Sequence, residues 1–202
     1  MITYWVVRFL SKCILKVFYN FKIYGSENII KKGSYIICTN HCSFFDPAVI
    51  SCSVPRRVYW VALKDLYEIW PLSILLRLVG CIRVNGVIKE ALDAINQGKI
   101  IGIFPEGRRT YDGKLMKKGR RGAAILAMRT GVPVLPMWIE GTFQAYPRRA
   151  RFPKIHPISI HIGKPLQFEV RTESAISEDI LDKATAQILG SISDIKDSYH
   201  KH

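Results

Sequence analysis

The sequence predicts a single α/β domain, with a largely parallel central sheet flanked by helices and an amphipathic, membrane-associated helix in front of it. Three observations carry this. Short apolar runs, many rich in Ile and Val, recur at residues 35–39, 57–63, 99–104 and 133–139, as strands buried on both faces do. Segments of helical period alternate with them, and two of these are closed by Gly98 and Gly131. The chain has 202 residues, 49% of them hydrophobic, which suffices for one sizeable core and argues against disorder. No repeat, low-complexity tract or linker divides it, so the boundaries are 1–20 for the N-terminal helix and 21–202 for the domain.

Taken in order, residues 1–21 read as a helix and 21–25 as a short strand. Residues 35–39 are a second strand. Asp46-Pro47 reads as an N-cap and first-turn proline of a helix through residue 51. Residues 57–63 form a strand, 65–79 a helix interrupted at Pro71, 81–84 a short strand and 88–96 a helix. The apolar strand 99–104 runs into a polar loop, 105–119. A helix follows at 120–130, then a strand at 133–139. Residues 144–157 read as a basic, proline-containing loop. Residues 158–162 alternate like a strand, and 176–197 form a terminal helix packed on the outside.

The N-terminal segment MITYWVVRFLSKCILKVFYNF carries Arg8, Lys12 and Lys16 four residues apart, hence as one narrow basic stripe on a helix otherwise apolar or aromatic. That composition suits a helix lying in a bilayer interface with its cations reaching anionic headgroups. No apolar run approaches the roughly 18 residues of a spanning helix. Interrupting charges and the lack of a small-residue cleavage site argue against a signal peptide. Thirty Lys and Arg against 16 Asp and Glu give a net charge of +14, which favours an anionic partner. No nucleic-acid-binding signature accompanies it, so nucleic acid is not expected as a partner. Five cysteines without Cys-x-x-Cys spacing read as reduced thiols packed as small hydrophobes. His156, His161, His200 and His202 have no metal-ligand spacing, and no metal is expected.

Two strings carry chemistry. Asn40-His41-Cys42-Ser43-Phe44-Phe45-Asp46 follows the strand 35–39, at a strand end where sites of α/β sheets collect. A His oriented by a carboxylate is a general base, but residues five apart meet only if the chain turns between them. Alone, the pair reads as a loop histidine and a helix cap rather than as a catalyst. Cys42 as a nucleophile requires a sharp turn, because neighbours on a strand face opposite ways. The second string, Phe104-Pro105-Glu106-Gly107-Arg108-Arg109-Thr110, ends a buried strand with a carboxylate and two guanidiniums, groups that bind phosphate bidentately. Lys117, Lys118, Arg120 and Arg121 follow near a helix start, which also favours phosphate. Arg148, Arg149, Arg151 and Lys154 read either as a solvated loop or as a further anionic-lipid contact.

Together these strings resemble the glycerolipid acyltransferase family, whose best-known members are 1-acylglycerol-3-phosphate acyltransferases. Asn40-His41-x4-Asp46 matches the first family block. Lys64 through Pro71 to Gly80-Cys81-Ile82-Arg83-Val84 resembles the second. Phe104-Pro105-Glu106-Gly107-x-Arg109-Thr110 with Lys118-Gly119 matches the third, and Val132-Pro133-Val134-Leu135-Pro136 with Gly141-Thr142 resembles the fourth. The resemblance implies transfer of a fatty acyl group from acyl-CoA or acyl carrier protein to a lysophospholipid hydroxyl, with no cofactor besides the donor. It implies His41 as base and Asp46 as its orienting group. Asn40 lies within the first block. Glu106 and Gly107 are implied to contact the acceptor glycerol and Arg109 its phosphate. Lys64, Arg83, Arg108 and Lys118 are further candidates for binding the acceptor, and Pro133 and Pro136 fall in the block tied to the acyl site. The enzyme is expected on the cytoplasmic face of an anionic membrane. Two departures from the pattern stand out. Asn85-Gly86 stands where the second block carries an acidic residue and Arg, and Arg108 replaces a small hydroxyl residue. These departures leave open another lysolipid as acceptor. A thioesterase or a catalytically weak lipid-binding module on the same fold are the rival readings.

Overall fold

The computed structural model describes residues 2–63, 81–84 and 89–199. Seven strands among them form one sheet: β1 (Lys22–Tyr24), β2 (Ile36–Thr39), β3 (Val58–Leu63), β4 (Ile82–Val84), β5 (Ile100–Ile103), β6 (Val134–Glu140) and β7 (Ser159–Ile162), in the order β1-β7-β6-β2-β5-β3-β4. The five from β6 to β4 are mutually parallel. β7 runs antiparallel to β6 and β1 runs parallel to β7, so this edge pair opposes the rest. The helices are α1 (Ile2–Phe18), α2 (Asp46–Ser53), α3 (Lys89–Asn96), α4 (Gly122–Thr130), α5 (Thr142–Ala145) and α6 (Glu178–Tyr199). The expected helix at 65–79, with Lys64, Pro71, Asn85 and Gly86, lies outside the described residues.

The apolar strands are continuous because both faces are covered. In β2, Ile37 joins the core with α1 and α2, through Leu15, Val49 and Ile50. Its neighbours Ile36 and Cys38 join the opposite core with α3, α4 and α6, through Ile95, Leu126, Ile188 and Ile192. Glycines in the left-handed region end α3 and α4, as expected: Gly98 at φ 79° and Gly131 at φ 70°. Two local expectations change. The segment after β6 begins with the short helix α5 rather than a loop. β7 alternates in polarity but not in burial, because Tyr24 stacks on His161 and Tyr199 lies tilted against it, on the face opposite Ile160 and Ile162.

Gly141 makes the turn from β6 into α5 at φ 86°, where a Cβ would sit 1.9 Å from the carbonyl oxygen of Pro157. The obstacle is backbone, and the backbone angle is one that L-residues resist. Gly141→Ala is expected to cost on the order of 2–4 kcal/mol. Chemical denaturation measures it, and an unchanged midpoint would contradict the assigned turn.

α1 is amphipathic in a different sense from the one its charges predict. Tyr4, Leu15 and Tyr19 are buried against the domain, and the Tyr4 hydroxyl accepts the Val58 N–H at 3.2 Å. Arg8 turns inward with them. Its Nε donates to the Ser51 carbonyl and its Nη2 to the Val54 carbonyl, both at 2.7 Å, so it serves the C-terminal end of α2, where carbonyls lack helical partners. Only Lys12 and Lys16 of the basic stripe remain exposed. The outer face of α1 presents Ile2, Val6, Phe9, Leu10, Ile14 and Val17, each at least half exposed. No helix among the described residues is long and apolar enough to cross a membrane.

Candidate active site

β2 ends at Thr39, between β5 and β6 in the middle of the sheet, and hands the chain to the His41 turn. Asn40 fastens this exit. Its Nδ2 donates to the Ile139 carbonyl at 3.0 Å and its Oδ1 accepts the Ile139 N–H at 2.8 Å, a two-way clamp onto β6. The chain then turns so that Asp46 faces back toward His41. Asp46 is not the cap of α2. Phe45 holds that position, and Asp46 lies inside the first turn, fully buried. Its Oδ2 accepts three hydrogen bonds, each 2.8 Å long, from His41 Nδ1 and the backbone N–H groups of Cys42 and Ser43. A carboxylate only accepts, so the proton sits on Nδ1 and the Nε2 lone pair is left available.

The imidazole is held from its flat side as well. It stacks on Phe104 with centroids 3.7 Å apart, and Phe104 stacks in turn on Trp60 at 4.9 Å. Gly102 makes room for this layer, since a Cβ there would lie 2.7 Å from the Trp60 ring. The His41 side chain keeps 16% of its surface exposed, enough for one edge to meet a substrate. Cys42 points away from it, with Sγ 3.3 Å from the Thr142 hydroxyl. Burial pushes that thiol well above its usual range, so Cys42 is a packed thiol and no nucleophile.

Glu106 braces the same turn from the end of β5. Oε1 accepts the His41 N–H at 2.6 Å and Oε2 the Met116 N–H at 2.9 Å, while the Thr110 N–H donates to the His41 carbonyl at 2.8 Å. The carboxylate therefore ties the His41 turn to the loop after β5, and Glu106 is only 3% exposed. Burial pushes its carboxyl up to about 7 from an ordinary 4.5, against the two N–H donors, which pull it down. The folded state thus binds this proton more tightly than the unfolded chain does. The contribution of Glu106 to stability falls as pH rises between these two values, by at most roughly 1.4 kcal/mol per unit, and is level outside them. Denaturation of the wild type and Glu106→Gln at pH 5 and 7.5 checks this. The wild type should lose more stability toward pH 7.5 than the variant, and parallel slopes would count against it.

The remaining candidates fall in different places. Gly107 adopts φ 69°, with the Arg120 stem where its Cβ would be. Arg108 and Lys118 are exposed. Arg109 is half-buried, with its guanidinium over the Phe44 ring, 3.4 Å from the centroid. Arg121 is taken up by α6, pairing with Asp182 at 2.7 Å and Glu178 at 3.3 Å. Arg83 lies in β4, in register with Ala62, and Lys64 is outside the described residues. Pro133 precedes β6 and accepts the Ile36 N–H through its carbonyl. Pro136 is buried within β6 opposite Cys38. Among the described residues no His, Cys, Asp and Glu side chains group as metal ligands. Phe104 opens the third matching block, but no sequence signal assigns it a stacking role on His41, and Trp60 was not singled out.

The arrangement is a partly exposed histidine with its Nδ1 held by a buried carboxylate and with Arg109 nearby. Comparisons with known proteins identify the family and the fold. A family model described as Acyltransferase matches residues 20–140. A 1-acyl-sn-glycerol-3-phosphate acyltransferase of Borreliella burgdorferi is 28% identical over 180 residues, covering 85% of this chain and 71% of that one. The enzyme of the same name from Bacillus subtilis is 26% identical over 137 residues, covering 64% of this chain and 67% of its own. The solved 1-acyl-sn-glycerophosphate acyltransferase of Thermotoga maritima superposes with a TM-score of 0.77 at 24% identity, over 97% of this chain and 79% of that one, and so shares the fold. The match from the first strand through β6 spans both chemical strings and the sheet that joins them, and this chain belongs to the acyltransferase family as an O-acyltransferase.

Proposed function

We propose that the protein transfers a fatty acyl group from a thioester, acyl-CoA or acyl carrier protein, to the free hydroxyl of a lysophospholipid, with 1-acylglycerol-3-phosphate as acceptor and phosphatidic acid as product. The observation that carries the reading is the His41 Nδ1–Asp46 Oδ2 hydrogen bond, which leaves Nε2 free at an open edge. The similarity to 1-acyl-sn-glycerol-3-phosphate acyltransferases supports the acceptor. His41 Nε2 takes the proton of the acceptor hydroxyl as that oxygen attacks the thioester carbonyl. Asp46 offsets the charge that develops on the ring. The C–S bond then breaks, and the departing thiolate takes the proton back from His41. The acceptor is itself the nucleophile, so no acyl-enzyme forms. Arg109 faces the acceptor phosphate, and Glu106 acts through the backbone of His41.

The decisive assay follows thiol release and lipid product with a panel of lysolipids. Release that requires a lysolipid supports the transferase. Release without acceptor would make the protein a thioesterase, and lipid binding without turnover would make it a binding module.

α1 lies in the surface of an anionic membrane on its cytoplasmic side in this reading, and the acceptor enters laterally from the bilayer. Its outer apolar face and the net charge of +14 support this. Removing residues 1–20 would also strip Tyr4, Leu15 and Tyr19 from the core, so the test is substitution on the outer face. Val6→Glu with Phe9→Glu should weaken binding to anionic vesicles about tenfold or more with an unchanged melting temperature. Raising the salt should weaken wild-type binding further. Undiminished binding by the double variant would refute this role of α1.

A further inference from the structure

Arg148, in the segment after α5, has no place in the acyl-transfer chemistry described so far, and sequence alone leaves it between a solvated loop and a lipid contact. The structure draws it to the His41 turn. Its Nη1 donates to the Arg109 carbonyl at 3.3 Å, across 39 residues of chain. The segment that carries it is fixed at the same spot. Ser43 Oγ donates to the Tyr146 carbonyl at 2.8 Å, and Ser43 bridges to Pro147, the residue before Arg148. Each guanidinium rests on an aromatic ring, Arg109 on Phe44 and Arg148 on Tyr111, the latter 4.4 Å from the centroid.

Two guanidiniums are thus held close enough for the charge of one to act on the other, with no carboxylate at ion-pair distance among the described residues. Among the same residues, Arg109 Nη1 is buried without a hydrogen-bond partner. Burial and the charge of Arg148 both pull the Arg109 pKa down, with Asp46 opposing them. Such a pair is unfavourable alone and becomes favourable around a dianion. A phosphomonoester carries close to two negative charges near neutral pH, whereas a phosphodiester headgroup carries one.

We infer that Arg148 binds the phosphomonoester of the acceptor together with Arg109, supplying from the segment after α5 the cation that Asn85-Gly86 does not. This rests on the proposed acyl transfer for the identity of the acceptor. It adds a specificity-determining residue from beyond the four matching blocks. It also assigns a preference: phosphomonoester lysolipids over lysophospholipids with an esterified phosphate and over 1-acylglycerol, which has none.

Three substitutions separate this role from simple bracing of the Arg109 carbonyl. Arg148→Gln keeps a hydrogen-bond donor and removes the charge. Arg148→Lys keeps the charge and loses the planar fork. Arg151→Ala removes a cation of the same segment that lies over Phe152. With the full chain, KM for 1-acylglycerol-3-phosphate should rise about tenfold or more in Arg148→Gln at a kcat within about twofold. Arg148→Lys should recover most of the loss, and Arg151→Ala should match the wild type. KM for 1-acylglycerol should not respond to Arg148. Calorimetric binding of a short-chain, soluble 1-acylglycerol-3-phosphate should weaken in the same order. An Arg148→Gln variant with wild-type KM and affinity overturns the inference, as does recovery by Gln but not by Lys. Charge-dependent binding without acyl transfer in the wild type would uphold the phosphate site and overturn the transferase reading instead.

Discussion

His41→Ala is expected to lower the rate of acyl transfer by on the order of 10²–10⁴ while the protein stays folded, because it removes the proposed base and nothing that holds the sheet together. The ring is the partly open end of the constellation. Its loss leaves Asp46 Oδ2 with the N–H groups of Cys42 and Ser43, and leaves the backbone of His41 bonded to Glu106 and Thr110. The lost stacking on Phe104 should cost about 1 kcal/mol. Initial rates of thiol release at saturating lysolipid, together with a melting curve, make the measurement. A folded His41→Ala variant with wild-type turnover would sink the mechanism.

Asp46→Asn should impair both activity and stability, by on the order of 10²–10⁴ in kcat and about 1–3 kcal/mol. The two orientations of the amide fail for different reasons. With its oxygen in the place of Oδ2, the three hydrogen bonds survive but the charge that offsets the imidazolium is gone. The NH2 group then occupies the place of Oδ1, a buried site that offers no partner among the described residues. With the amide flipped, its NH2 group faces the N–H groups of Cys42 and Ser43, and the tautomer of His41 is no longer fixed. Because both residues act as one unit, His41→Ala with Asp46→Asn should be no slower than His41→Ala alone, within a few-fold. Fully multiplicative losses would show that Asp46 works independently of His41. An active, stable Asp46→Asn variant would reduce the buried carboxylate to a turn-forming role.

Much of this protein was legible from local pattern. β2, β5 and β6 announce themselves as apolar runs because a parallel sheet covered on both faces leaves no polar stripe. α3 and α4 end at Gly98 and Gly131 because both glycines take up a left-handed turn. The strings around His41 and Glu106 stand at strand ends, where side chains leave the sheet. Asp46 shows where local pattern fails. Asp-Pro before an apolar segment is the signature of a helix cap, and the same residues here turn the carboxylate back toward a histidine five residues away. A cap and a histidine clamp differ in the path of the turn, which residue types alone do not specify. The basic stripe on α1 failed differently. Its spacing was read correctly, but periodicity fixes only the relative directions of side chains. It does not fix which direction meets the domain, and Arg8 proved to face inward.

The sequence by itself determined most of the described strands and helices, the strings that hold His41, Asp46 and Arg109, and the resemblance to the acyltransferase family. These follow from period, backbone preference and short strings, all carried by neighbours along the chain. Only the tertiary structure decided what those residues do to one another. It turned Cys42 to the far side of the turn, engaged both Glu106 oxygens with backbone N–H groups, bound Arg121 to α6 and set Arg148 beside Arg109. Each of those outcomes depends on elements distant in sequence meeting across the sheet. Charge and residue type show what a side chain can bind, while packing selects the partner it reaches.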